Sequence, residues 1–193
     1  MARPREFDPD QIRQRALEAF WRDGYEATSL ANLEEATGLG RRSLYNSFGD
    51  KLTLFIQSLA DFRTMAASTY LAPIQQPGAG LAEIETTLRL LAADGQTSSG
   101  RKGCLICNTA REPVAQIPEV NQQIQLYFQQ IKQAFARALI QAREQGDIAS
   151  TENVESLTQF LFGTLVSICV LAQAGEEGDV LNAMATEALN RLR

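Results

Sequence analysis

The sequence predicts an all-α protein: a three-helix N-terminal domain followed by a larger helical domain. Three observations carry this. No segment sustains a period-2 alternation of apolar and polar residues, and the β-branched residues are scattered, so strands are not expected. Apolar residues recur instead three and four apart, which places them on one face of a helix. The stretches between them are punctuated by residues that start or stop helices, among them Asp8-Pro9, Gly24, Gly38, Gly49-Asp50 and Pro73.

The first helix is expected over about 9–23. Asp8 is its N-cap, Pro9 its first-turn proline, and Ile12, Ala16, Ala19 and Phe20 its buried face; Gly24 ends it. A short helix follows over about 29–36, with Ser29 or Thr28 as cap. Gly38 supplies a turn, and a second short helix covers about 41–48. Asp50 caps a longer helix expected to reach about Tyr70, with Leu54, Phe55, Ser58, Leu59 and Phe62 inward and a loop from Pro73 through QQPGAG at 75–80. Five more helices are expected over about 81–93, 104–111, 118–145, 151–174 and 179–192. The polar stretch DGQTSSGRKG at 94–103 reads as a loop. The helix over 151–174 is apolar nearly all round, so it needs a neighbour on more than one side. The domain boundary is expected within the long helix, where the DNA-binding unit ends by its first turns, giving 1–52 and 53–193.

Composition narrows the function. The 193-residue chain contains no histidine, which removes histidine-based acid–base catalysis, the Ser-His and Cys-His nucleophile pairs and most zinc sites. There is no phosphate-cradling glycine loop, nucleophile elbow or carboxylate-rich metal cluster in the sequence, so neither cofactor nor metal is expected. The N-terminus is charged, no apolar run is judged long enough for a membrane span, and the three cysteines do not form a disulfide framework. The expected location is the cytoplasm. The net charge of −5 argues mildly against nucleic acid. Residues 1–51 hold eight Arg/Lys against nine Asp/Glu, but the basic residues cluster: Arg3 and Arg5 on the tail, Arg41 and Arg42 together, Lys51 just after.

Helix 29–36, glycine turn and helix 41–48 have the size and order of a helix-turn-helix, whose second helix enters the major groove. On that second helix Leu44 and Phe48 are four apart and can pin it inward. Arg41, Arg42, Ser43, Tyr45 and Asn46 are left for DNA. Arginine pairs with guanine, asparagine with adenine, and serine with either. Lys51 opens the next helix, where backbone N–H groups favour a phosphate. Arg3 and Arg5 suit an arm along the minor groove.

The segment 16–55 closely resembles the N-terminal domain of TetR-family repressors. The resemblance rests on FWRDGYEATSL (20–30), the GLG turn (38–40) and SLYNSFGDK (43–51). It implies a homodimer that binds operator DNA and carries an effector pocket in a C-terminal ligand-binding and dimerisation domain. By matching position it implies Thr28, Arg41, Ser43, Tyr45, Asn46 and Lys51 as DNA contacts. Two departures stand out. Gly40 takes the place of the usual serine or threonine cap, and Arg42 replaces a commonly small residue.

The segment GCLICNTAREPV (103–114), with RPREFD (3–8), resembles a TetR subgroup with a Gly-Cys-Leu segment at its sixth helix. Some members of that subgroup sense electrophiles or oxidants through the cysteine, which falls here on Cys104. Cys104 is expected in the first turn of its helix beside Arg101 and Lys102, a setting that favours the thiolate, with Cys107 three residues on as a resolving thiol. The plainer reading makes both small core residues. Cys169, in SICVLA, is expected in core or interface. The effector is then a small molecule, electrophile or oxidant. The alternative to a regulator is a small all-α enzyme that uses the C-terminal pocket.

Overall fold

The computed structural model describes residues 8–193, and all ordered secondary structure among them is helical. Arg3 and Arg5 lie outside the described residues. The helices are α1 (Pro9–Ala27), α2 (Leu30–Thr37), α3 (Arg41–Phe48), α4 (Lys51–Ala66), α5 (Ala72–Gln75), α6 (Leu81–Asp94), α7 (Leu105–Thr109), α8 (Pro118–Gln145), α9 (Val154–Ala174) and α10 (Gly178–Asn190). The chain divides into two compact units. The first runs through Thr64 and includes 105–124; the second comprises Met65–Cys104 and Gln125–Arg193. The helix-turn-helix unit thus extends past residue 52 along α4 and recruits a segment from the second half of the sequence.

In the first unit, α1 starts as its residues dictate: Asp8 accepts a hydrogen bond from the Asp10 N–H at 3.0 Å, and Pro9 occupies the first turn. Its inner face buries Ile12, Ala16, Leu17, Phe20 and Trp21. Aromatic contacts join it to α4. Phe20 and Tyr25 both lie against Phe55, with ring centroids 4.9 and 4.8 Å apart, and Trp21 meets Phe62 at 5.0 Å. At the rim Arg13 pairs with Asp61 at 3.0 Å. Gly24 does not end α1 but kinks it: at φ +80° and ψ 171° it holds a conformation open essentially to glycine alone, and one more turn follows.

In the second unit the helix begun at Lys51 does not stop near Tyr70, as the sequence suggested. It passes through a π-helical stretch, Ala67–Leu71, and continues as α5 through Pro73. The wider turn is the physical reason. A proline inside a regular α-helix clashes with the carbonyl four residues back and leaves it without a donor; a local π-bulge absorbs both. Buried residues of α6 (Ile84, Leu88, Leu91), α8 (Ile131, Phe135, Leu139), α9 (Leu157, Leu161, Leu165, Ile168) and α10 (Leu181, Ala185, Leu189) form the core. α9 begins at Val154 rather than 151, because Asn153 is its cap and accepts the Ser156 N–H at 2.9 Å.

By length and composition α9 is apolar enough to cross a membrane, which corrects the expectation that no segment is. Its apolarity has two destinations. Leu157, Leu161, Leu165, Ile168 and Ala172 are buried in the second unit. The opposite face exposes Phe160 and Val170 at 44% and 42%, with Gly163 and Ser167 between them.

Candidate nucleic-acid interface

The interface is built on α2, the turn 38–40 and α3. Both ends of α2 are defined by local chemistry. Ser29 Oγ accepts from the Asn32 N–H at 3.1 Å and Asn32 Oδ1 accepts from the Ser29 N–H at 2.8 Å, a reciprocal cap. Gly38 closes the helix in the left-handed conformation, φ +72°, and donates its N–H to the Glu34 carbonyl at 2.9 Å. The buried Leu33 of α2 and Leu44 and Phe48 of α3 hold the pair to the unit.

With Leu44 and Phe48 inward, α3 leaves Arg41, Arg42, Ser43 and Asn46 exposed and Tyr45 half-buried. The Arg41 guanidinium lies 5.5 Å from the centre of the Tyr45 ring, one turn away. A cation, a phenol, an amide and a hydroxyl therefore sit together on eight residues of one helix.

Lys51, first residue of α4, is half-buried, with Nζ 4.1 Å from the centre of the Tyr25 ring. Burial lowers its pKa, and the carboxylates of Glu26 and Glu112 act against that shift. Burial likewise raises the Tyr25 phenol, with Glu26 and Asp50 adding to it. The anion at the start of α4 is the protein's own. Asp50 Oδ1 accepts from the Thr53 N–H at 2.7 Å and the Thr53 hydroxyl at 2.8 Å, and these bonds hold its carboxyl below the usual range.

Thr28 differs from the other expected contacts. Its side chain is fully buried and its hydroxyl donates to the Gly24 carbonyl at 2.6 Å, so the side chain braces the entry to α2.

Two residues of this unit were not singled out from sequence. The Arg41 N–H donates to Glu34 Oε1, so a side chain of α2 caps α3. A glycine cap is the sequence signal that could have prompted a search for a borrowed acceptor. Glu112, just beyond α7, accepts the Glu26 N–H through Oε2 at 3.0 Å and lies against Gly24. The two are 86 residues apart, and no local pattern announces the contact.

The cysteine segment is arranged differently from expectation. Residues Gly100–Lys102 form their own 3₁₀ turn, and α7 starts only at Leu105 and ends at Thr109, so Cys104 precedes the helix instead of lying in its first turn. Cys104 is buried in the second unit; Cys107, on α7, is half-buried in the first. In the second unit the Tyr70 hydroxyl donates to Asp94 Oδ2 at 2.7 Å. Burial pushes this phenol up, with Asp94, Cys169 and Cys104 adding to the shift. The Cys169 thiol is also pushed up, by burial first and then by Cys104 and Asp94. Acidic groups therefore share the surroundings of Cys104.

Comparison with known proteins places this geometry. Residues 12–57 match the bacterial regulatory proteins of the tetR family, and residues 80–188 match the Tetracyclin repressor-like C-terminal domain, which alone spans more than half of the chain. The protein belongs to the TetR family: it is a helix-turn-helix transcriptional regulator, and the enzyme reading has no support among its relatives. It is 27% identical over 186 residues to the uncharacterized HTH-type transcriptional regulator YezE of Bacillus subtilis, covering 94% of each chain. It is 26% identical over 191 residues to the transcriptional repressor ComR of Escherichia coli, covering 97% of this chain and 90% of that one. Among solved structures it superposes with a TM-score of 0.89 on the TetR-family regulator CifR, as a cysteine variant complexed with 26-bp double-strand operator DNA. Identity there is 27%, over 99% of this chain and all of that one.

Proposed function

We propose that this protein is a cytoplasmic repressor that binds a two-part operator as a homodimer and leaves it when its C-terminal domain receives a signal. The observation that carries this reading is α3: Leu44 and Phe48 are buried, while Arg41, Arg42, Ser43 and Asn46 face outward with Tyr45 beside them. Arg41, Arg42, Ser43 and Asn46 are the base-reading and margin contacts. Tyr45 and Lys51 hold phosphates, and Thr28 supports them from within. The CifR complexes with operator DNA, at 27% identity over nearly the full chain, favour the same use of the helix.

The dimer is supported by the outer face of α9 and by α10, which exposes Val180 at 41%. Two such helices from each subunit make a four-helix bundle. For the signal, the reading keeps two forms. A small molecule is supported by Thr87, a fully buried residue of α6 whose hydroxyl has no hydrogen-bond partner among the described residues, a group a ligand would satisfy. Modification of Cys104 or Cys107 by an electrophile or oxidant is supported by the presence of both thiols in the Gly-Cys-Leu segment.

The test begins with selection of bound sequences from random duplex DNA by the full chain. On the selected site, Lys51→Ala is expected to weaken binding and lower the salt slope by about one per half-site, and Arg41→Ala or Arg42→Ala to relax preference at one position. Tyr45→Ala is expected to weaken binding with the fold intact. Parental binding by all of these variants contradicts the assignment of α3. Release by N-ethylmaleimide or hydrogen peroxide that survives both Cys104→Ser and Cys107→Ser contradicts the thiol form of the signal.

A further inference from the structure

We infer that Glu34 is a positioning residue for DNA reading: its carboxylate reaches from α2 to accept the first N–H of α3, where Gly40 brings no side chain, and so sets where α3 begins relative to α2. The inference rests on the reading of α3 as the DNA-contacting helix. A helix start leaves its first N–H groups without partners inside the helix, and a cap side chain normally supplies one acceptor. Gly40 has the extended cap geometry, φ −66° and ψ 154°, and its carbonyl accepts from Ser43 and Leu44 at 2.9 and 3.1 Å, but no cap side chain exists. Glu34 takes the Arg41 N–H on Oε1; this is the N–H of the first helical residue, which a cap side chain, reaching the second or third, leaves unpaired.

The same residue acts on both sides of the turn. Its backbone carbonyl receives the Gly38 N–H at 2.9 Å and closes α2, while its side chain opens α3. One half-buried residue thereby spans the turn 38–40 and ties the exposed ends of two eight-residue helices. An ordinary serine cap would secure α3 alone. A cap borrowed from α2 also fixes the register between the helices, which determines where Arg41, Arg42 and Asn46 arrive in a groove. The carboxylate lies beside the backbone of Arg41, so the helix start already carries an anion and the arginines themselves must meet the DNA.

A second substitution separates the borrowed acceptor from an ordinary cap. Among the described residues a Cβ built on Gly40 meets nothing within 4 Å, and its backbone angles are ordinary for serine, so Gly40→Ser adds a cap for the Arg42 or Ser43 N–H without strain and leaves the Arg41 N–H to Glu34. The experiment compares the parent, Glu34→Ala, Glu34→Gln, Gly40→Ser and the Glu34→Ala/Gly40→Ser double variant as full chains. Amide hydrogen exchange across α3 is read without DNA, and affinity is read on the duplex selected by the parent. Glu34→Ala is expected to speed exchange at the start of α3 and weaken binding roughly tenfold, from the loss of one cap in each reading helix. Glu34→Gln keeps an acceptor and is expected within about threefold of the parent, and Gly40→Ser alone likewise. The double variant is expected to gain protection at the Arg42 or Ser43 amide but not at Arg41, and to bind more tightly than Glu34→Ala alone while staying weaker than the parent.

Unchanged exchange in Glu34→Ala overturns the inference whether or not the protein binds DNA. So does a Glu34→Ala variant that binds as tightly as the parent, or a double variant whose Arg41 amide is as protected as the parent's. Failure of the parent to select any duplex instead overturns the proposed function, and exchange still decides the cap.

Discussion

Gly24 and Glu112 form a contact whose energetics can be worked from the structure. Glu112 Oε2 accepts the Glu26 N–H at 3.0 Å, and the carboxylate atoms lie 3.0–3.2 Å from where a Cβ on residue 24 would stand. Glu112→Ala removes one hydrogen bond to a charged acceptor, worth about 1.5–3 kcal/mol in a protected site and nearer 1 kcal/mol here, where Glu112 is half-exposed. For a chain of this length that lowers Tm by about 2–4 °C. Gly24→Ala imposes two costs: a non-glycine residue at φ +80° and ψ 171°, about 1–3 kcal/mol, and the collision of its methyl with the carboxylate, which either strains or ejects Glu112. The two changes therefore overlap. Gly24→Ala is expected to cost about 1 kcal/mol less in the Glu112→Ala background than in the parent, because there is no longer a carboxylate to displace. Urea unfolding of the four variants at one protein concentration measures the coupling. Additive costs within about 0.3 kcal/mol would refute this account of the kink.

Two further outcomes follow from the same structure. Phe160→Asp and Val170→Asp place charge on the outer face of α9 and are expected to convert the dimer to monomer by light scattering; a dimer in both variants contradicts the proposed bundle. Cys169 and Tyr70 have raised pKa values in the fold, so their neutral forms contribute stability that is complete below the unfolded values, about 8.5 and 10, and is lost as pH rises beyond them. The urea midpoint is expected to fall between pH 8 and 10.5, with Cys169→Ala flattening the lower part of that slope; a midpoint that rises with pH contradicts the burial assigned to the thiol.

The N-terminal unit was legible because its signals are local. Asp8-Pro9, the Ser29 cap, Gly38 and the Leu44/Phe48 pair each act within four residues, and α3 lies where its pattern put it, Arg41–Phe48. What escaped depends on distant partners. Thr28 looks like an exposed hydroxyl until the Gly24 kink brings a carbonyl to it. Pro73 looks like a helix end until the π-helical turn before it absorbs the clash. The 105–124 segment reads as part of the sensing half, yet it packs with the DNA-reading unit, where Glu112 meets α1. The cysteines show the same limit. The pattern over 104–111 and the Gly-Cys-Leu resemblance point to a helix start at Cys104, but 100–102 takes its own turn and α7 is only five residues long.

In the proposed complex two reading helices of a symmetric dimer address two half-sites on one face of DNA, about 34–36 Å apart. Inserting five base pairs between the half-sites of the selected duplex turns one of them about half a helical turn away from the other. Binding is expected to fall to the level of a single half-site. A spacer variant bound as tightly as the original duplex would contradict it.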